Sequence, residues 1–251
     1  MAGVNITGVS KSYTIEGHPF FALEDINLFI EDGTFTAIVG KSGCGKTTLL
    51  RLLCGLEERT TGKIAFTFKG DPLQVSSSRV GIVFQEPRLM PWLTVKENIA
   101  FSLNREREQN NKKEMVDKYL QVLGLERFKA AYPSQISGGM AQRAALGRAL
   151  CYDPDLILMD EPFGALDYFT RKNLQNEIMN IFLAQGKTIV LVTHDVEEAV
   201  FLSQKVIVLD GGKTAGEFTI DLPYPRKNTS SEFLAVRESI YDAIMGIETG
   251  V

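Results

Sequence analysis

The chain has 251 residues, of which 44% are hydrophobic and 23% charged, and its 27 Lys and Arg against 31 Asp and Glu leave a net charge of −4. At roughly 150 residues per domain this length fits one large domain, or one carrying a subdomain, able to bury about 70–75% of its unfolded surface without staples. The charge balance argues against a nucleic-acid binder built on a strongly basic face.

Short apolar runs punctuated by turn residues predict strands over 6–13, 22–30 and 34–39, the last two separated by Glu31-Asp32-Gly33. A Gly-rich loop follows, then a helix over 46–53 stopped at Gly55, and strands over 64–68 and 80–84. Thr94-Val95-Lys96-Glu97 reads as a capping box that opens a helix after Pro91-Trp92. Val116, Leu120 and Leu123 repeat at helical spacing, Glu114 and Lys118 pair at i,i+4, and Gly124 ends the run. The polar stretch 104–113 is expected to be an exposed connection. A small-residue helix runs over 138–150 until Asp153-Pro154 breaks it.

Residues 156–159 and 188–193 are continuous apolar runs suited to buried parallel strands. Between them Leu174, Ile178, Ile181 and Phe182 mark a helix ended by Gly186, and a second capping box over 195–198 starts the next. Residues 206–209, Gly211-Gly212 and 217–220 predict a closing hairpin, and the tail 221–251 holds one more helical segment near 233–244. The expected architecture is an α/β core with an N-terminal antiparallel β subdomain and an α-helical subdomain inserted at about 86–152. Cys44, Cys54 and Cys151 are scattered without a CxxC pair, so free thiols in a reducing compartment are expected. The first residues show no secretory signal, and no uncharged apolar stretch approaches the ~18–20 residues of a membrane span. A cytosolic chain is expected, one that reaches a membrane only by docking.

Gly40-Lys41-Ser42-Gly43-Cys44-Gly45-Lys46-Thr47 fits GxxxxGK[ST] between a predicted strand and a predicted helix. Glycines let backbone N–H groups converge on phosphate oxygens, and the helix directs its positive end there. Lys46 suits the β and γ phosphates and the Thr47 hydroxyl suits Mg2+. Cys44 lies inside this loop, so its alkylation is expected to block ATP binding. The motif alone marks a nucleotide binder, with kinases, GTPases and transport ATPases all open. Asp160-Glu161 ends an apolar strand at the edge where ligands bind. Asp160 there suits Mg2+ and Glu161 suits a water attacking the γ-phosphate, whereas adjacent acids can also be solvated or cap a helix. His194 follows the next strand, either as a γ-phosphate sensor or as a neighbour of the Asp195 cap. Gln85 stands at another strand end, within reach of Mg2+ or the water.

Ile136-Ser137-Gly138-Gly139-Met140-Ala141-Gln142-Arg143 opens the small-residue helix. It reads either as a plain Ser-Gly cap or as a second phosphate cradle, which one domain does not need unless it closes over another subunit's nucleotide. The run resembles the LSGGQ signature of ATP-binding-cassette (ABC) ATPases, over about residues 4–215 and with the other motifs in order. Tyr13 matches the aromatic that stacks on adenine in that family. Gly40, Lys41, Ser42, Gly43, Cys44, Gly45, Lys46, Thr47 and Thr48 match Walker A, and Gln85 the Q-loop. Ser137, Gly138, Gly139 and Met140 match the signature, Asp160 and Glu161 Walker B with the catalytic carboxylate, Ala165-Leu166-Asp167 the D-loop, and His194 the switch histidine. Met140 and Ile136 depart from the usual Gln and Leu. The methionine form, with the stretches 84–95 and 221–226, looks like the importer group for nitrate, sulfonate, taurine and related anions.

The resemblance implies a P-loop (RecA-like) ATPase core in a cassette of 1–220 with a tail of 221–251. It further implies ATP and Mg2+ as cofactors, the metal held by Thr47, Gln85 and Asp160, and a head-to-tail dimer with ATP between one chain's phosphate loop and the other's signature. Partners would be a membrane permease received at Arg88, Leu89, Met90, Pro91 and Trp92, and indirectly an extracytoplasmic solute-binding protein, with no nucleic acid. The place of work would be the cytoplasmic face of the inner membrane. Burial of residues 88–92 within the helical subdomain is the alternative for that cluster. A non-transport ABC ATPase of nucleic-acid or ribosome processes is the competing function; a small-molecule kinase would leave the signature run and His194 unexplained.

Overall fold

A computed structural model describes residues 2–68, 71–72, 79–103, 109–164 and 166–246. In chain order the elements are β1 (Gly3–Ile15), β2 (His18–Ile30), β3 (Phe35–Val39), α1 (Lys46–Leu53), β4 (Thr61–Phe68), β5 (Asp71–Pro72), β6 (Val80–Val83), α2 (Val95–Ala100), α3 (Gln109–Val122), α4 (Gly138–Cys151), β7 (Leu156–Asp160), α5 (Tyr168–Gln185), β8 (Thr188–Val192), α6 (Val196–Leu202), β9 (Lys205–Asp210), β10 (Lys213–Thr219) and α7 (Ser231–Met245). They fall into two compact units, Met1–Ser78 with Lys187–Val251, and Arg79–Gly186.

The first unit holds two sheets. In one, β1 runs antiparallel to both β2 and β4, and β5 pairs with β4 at the edge. In the other, β3 lies parallel to β8 and to β9, and β10 returns antiparallel to β9. Every position of β3 and of β8 is buried, which is why both read as unbroken apolar runs. The hairpin between β9 and β10 turns on Gly211 and Gly212, both at positive φ, as a two-residue loop between right-twisted strands demands. Strands β1 and β2 extend beyond the predicted limits, pairing Tyr13 with Phe20 and Ile15 with His18. Residues 18–21 are all exposed there, so no burial pattern marks that end of the hairpin.

Helix α7 packs on α6, β9 and β10. The segment leading to it is fastened by Arg226, whose buried guanidinium donates to the carbonyls of Val200 and Ser203 at the end of α6. It also donates to the carbonyls of Leu222 at 3.0 Å and Ile220 at 3.3 Å, and lies 4.2 Å from the centre of the Tyr224 ring.

In the second unit β6 runs parallel to β7, and α4 packs against α2, α3 and β6. The capping box of α2 is reciprocal: Glu97 N–H donates to Thr94 Oγ1 at 3.3 Å, and Thr94 N–H donates to Glu97 Oε2 at 2.8 Å. Helix α3 begins at Gln109, inside the polar stretch expected to be a connection, because Gln and Lys are good helix formers; residues 104–108 lie outside those described. Among the described residues no helix is long and apolar enough to cross a membrane.

Candidate functional site

The phosphate loop belongs to the first unit, between the end of β3 and the start of α1. Gly40 has φ +152°, and a Cβ there would stand 2.1 Å from the Leu209 carbonyl oxygen. Gly45 has φ +102°, and its Cβ would stand 2.5 Å from the Ala22 oxygen, so both positions accept only glycine. Gly45 is the N-cap of α1 and supplies no side-chain acceptor to its first turn. The buried Lys46 folds back over the loop, donating from Nζ to the carbonyls of Gly40 at 2.8 Å and Lys41 at 3.0 Å, with Cys44 Sγ at 3.8 Å. Lys41, Ser42 and Gly43 are exposed, Cys44 is buried, and Thr47 and Thr48 are half-buried on the first turn of α1. A cationic side chain, a positive helix end and converging N–H groups fit a polyphosphate.

Two further candidate residues share this unit. Tyr13, on β1, is half-buried and its phenol donates to Glu57 Oε2. His194 is exposed, directly beyond β8. The turn after it is built around Thr193, whose hydroxyl donates to Glu198 Oε2 at 2.8 Å and accepts from Asp195 N–H at 3.1 Å. Asp195 caps α6 through the N–H groups of Glu197 and Glu198, but Glu198 does not reach back to it. The reciprocal box expected over 195–198 is thus replaced, because the Thr193 hydroxyl takes both of the contacts that would close it.

The remaining candidates lie in the second unit. Strand β7 is buried up to Met159, leaving Asp160 and Glu161 half-buried at its end. Glu161 has φ +43°, a conformation that costs a non-glycine residue about 1–3 kcal/mol and persists where its surroundings hold it. Its Oε2 and the Nε2 of Gln85 border one space: a Cβ at Gly164 would lie 3.5 Å from Gln85 Nε2 and 4.0 Å from Glu161 Oε2. The structure therefore brings Gln85 and Glu161 together.

The backbone around Gln85 is held from three sides. Gln142, buried in α4, donates from Nε2 to the Phe84 carbonyl at 3.0 Å. Arg148 donates to the carbonyls of Arg88 at 2.8 Å and Pro87 at 2.9 Å, and burial pulls its guanidinium below the usual arginine value. Asn98, fully buried, accepts from Met90 N–H and donates to the carbonyls of Met90, Leu93 and Thr94. On the surface so braced, Arg88, Pro91 and Trp92 are exposed, Trp92 at 70%, and Leu89 and Met90 are half-buried. The alternative of a Trp92 buried among the helices is not what the structure contains.

Ser137 caps α4 by accepting from Met140 N–H at 3.3 Å, with Ser137 and Gly138 exposed and Gly139 and Met140 half-buried. Asp167 is exposed and caps α5 by accepting from Thr170 N–H at 3.1 Å; the Thr170 hydrogen bonds hold its carboxyl below the usual aspartate value. Ala165, between these motifs, lies outside the described residues. Gln142 and Glu57 were not among the residues singled out from sequence. A glutamine among the small residues of α4 is a signal that could have found the first; nothing local distinguishes the second.

The profile described as ABC transporter matches residues 23–164. The aliphatic sulfonates import ATP-binding protein SsuB of Bacillus cereus is 41% identical over 239 residues, covering 94% of each chain. Its namesake in Bacillus subtilis is 40% identical over 94% of this chain and 92% of its own. An uncharacterized ABC transporter ATP-binding protein of Methanocaldococcus jannaschii is 42% identical over 96% of this chain and 91% of its own. Among solved structures, a dimeric ATP-binding cassette in a post-hydrolysis state bound to ADP and Pi superposes with a TM-score of 0.76 at 31% identity, over 88% of this chain and 100% of that one. By this family match and these identities, the chain belongs to the ABC transporter family.

Proposed function

We propose that this chain is the ATP-hydrolysing subunit of a membrane importer, with aliphatic sulfonates or chemically similar small anions, nitrate and taurine among them, as cargo. Identity of 41% over 94% of an aliphatic sulfonates import subunit carries the cargo class. The cassette is assigned to 1–220, its helical subdomain to about 86–152, and residues 221–251 to a tail.

The residue roles follow from the chemistry each position offers. Tyr13 stacks on adenine, and Gly40–Thr48 wrap the triphosphate with N–H groups while Lys46 exchanges its two loop carbonyls for phosphate oxygens. Thr47, Asp160 and Gln85 would hold Mg2+ through oxygen ligands, and the metal would supply positive charge beside the phosphates. Glu161 orients and polarises the attacking water, with Gln85 beside it, and His194 hydrogen-bonds the γ-phosphate. Ser137, Gly138, Gly139 and Met140, with Asp167, meet the nucleotide of a second cassette in a head-to-tail pair. The dimeric state of the solved relative supports that pairing.

Arg88–Trp92 form the surface for the permease, an exposed aromatic anchor on a braced loop. The permease would receive cargo from an extracytoplasmic solute-binding protein, and the chain would sit peripherally on the cytoplasmic face of the inner membrane. Affinity purification of the tagged chain from detergent-solubilised membranes, read by mass spectrometry, tests the reading. A multi-span permease in the eluate supports it. An eluate of ribosomal or DNA-processing proteins without a permease overturns it in favour of a non-transport ABC ATPase.

A further inference from the structure

Tyr13 and the phosphate loop are joined by a connection that neither motif contains. The phenol of Tyr13 donates to Glu57 Oε2, while Glu57 Oε1 accepts from Arg51 NH1 at 3.1 Å. Arg51 lies in the last turn of α1, the helix whose first residue is Lys46. The Arg51 carbonyl in turn accepts from the N–H groups of Leu56 at 2.9 Å and Glu57 at 3.3 Å, so Glu57 is fixed to α1 through main chain as well as side chain.

The segment carrying Glu57 is also laced to the three residues of β1 that precede Tyr13. Lys11 Nζ donates to the Glu58 carbonyl at 2.8 Å and sits 4.9 Å from the Tyr13 ring centre. Ser12 N–H donates to Thr60 Oγ1 at 3.0 Å, and Thr60 N–H donates to the Ser10 carbonyl at 2.8 Å. Burial and the Glu57 carboxylate raise the Tyr13 phenol above its ordinary value, and the Tyr13 hydrogen bond lowers Glu57, as a short phenol–carboxylate contact requires. An exposed ion pair such as Arg51–Glu57 contributes little to stability. Its effect is orientation.

We propose that Glu57 is a positioning residue for the nucleotide base: with Arg51 it locks the Tyr13 ring to helix α1, so that the platform under the purine and the cradle for the phosphates form one rigid receptor. This rests on Tyr13 being the adenine platform. Its signature is selective. Loss of Glu57 weakens the part of binding that depends on the base and spares the part that depends on the phosphates.

The test compares MgATP with magnesium tripolyphosphate by isothermal titration on the full chain. Tyr13→Ala lowers MgATP affinity on the order of tenfold, the scale of one base–aromatic stack, and leaves tripolyphosphate unchanged. Glu57→Ala lowers MgATP affinity roughly three- to tenfold, less than a full stack, again with tripolyphosphate unchanged, and Glu57→Gln, which keeps an oxygen acceptor for the phenol, restores most of it. Equal weakening of both ligands by Glu57→Ala, or no weakening of either, overturns the proposal while Tyr13 keeps its role. If Tyr13→Ala binds both ligands as the parent does, the adenine platform falls and the proposal with it. Should Glu57→Ala fail to fold, Tyr13→Phe removes only the hydroxyl that Glu57 holds; it shows the same selective loss, and parent-like MgATP affinity in that variant overturns the proposal.

Discussion

Gln142 and Phe84 are 58 positions apart, and the hydrogen bond from Gln142 Nε2 to the Phe84 carbonyl ties helix α4 to the residue immediately before Gln85. The donor is buried and Phe84, which offers the acceptor, is half-buried. Gln142→Leu, similar in size, is expected to cost about 1–3 kcal/mol, the penalty for leaving the Phe84 carbonyl without its protein donor. In a domain of this size that is a fall of roughly 2–10 °C in Tm by differential scanning fluorimetry. Turnover at saturating ATP falls with it while ATP affinity holds, because Gln85 loses its anchor and the phosphate loop does not. A variant with parental Tm and turnover would remove Gln142 from this role.

Glu161 is the carboxylate that borders the same space as Gln85. Glu161→Gln keeps the shape and the hydrogen-bonding capacity but cannot polarise water as a carboxylate does. ATP hydrolysis should drop on the order of 10²–10⁴-fold, the usual loss for one positioned catalytic group. ATP binding persists, and phosphate release assays beside nucleotide titration separate the two. Near-normal turnover would place the general base elsewhere.

At Gly45 a methyl group meets both a wall and a forbidden conformation: the Ala22 oxygen at 2.5 Å, Leu23 Cδ2 at 2.7 Å and φ +102°. Gly45→Ala must move the start of α1. Loss of measurable nucleotide binding is expected even in protein that retains its far-UV spectrum, and fluorescence titration with a labelled ATP reads it. Parental affinity in this variant would show that the loop does not need its left-handed cap.

Thiol chemistry distinguishes the three cysteines. Cys44 is 4% exposed and Cys151 is fully buried, whereas Cys54 is half-buried with its thiol pushed up by burial. The thiolate is the reactive form, so iodoacetamide reaches Cys54 first, slowly at neutral pH and faster as pH climbs toward its raised value. Peptide mapping should find the first label on Cys54 in protein that still binds ATP, and label on Cys44 only with loss of binding. First labelling at Cys44 would contradict its enclosure in the loop.

Features written in adjacent residues were legible in the sequence. The Thr94–Glu97 box, the Gly211-Gly212 turn and the Asp153-Pro154 break depend on a few neighbouring dihedrals and caps, and each is realised where its residues predict it. The buried strands β3 and β8 announce themselves because both of their faces are covered. What stayed hidden depends on the tertiary path. The Tyr13–Glu57 bond spans 44 positions and Gln142–Phe84 spans 58, and no local periodicity encodes such a meeting. At residues 195–198 the local motif was present, yet the Thr193 hydroxyl just outside it took the contacts. The left-handed backbone of Glu161 was equally invisible, since glutamate has no preference for that region.

The guanidinium of Arg226 closes the carbonyl end of α6 from a position beyond the last strand of the sheet. Residues 221–226 are therefore a clasp, and the point at which this cassette could be cut or joined to another module lies after them. A gene fusion that entered at residue 220 would uncover the carbonyls of Val200 and Ser203 and free the helix that follows His194. One that entered after Met245, where α7 ends, would leave every one of those bonds in place. The boundary at which evolution or an engineer can append a new part to this ATPase is thus set by one arginine, 32 positions downstream of His194.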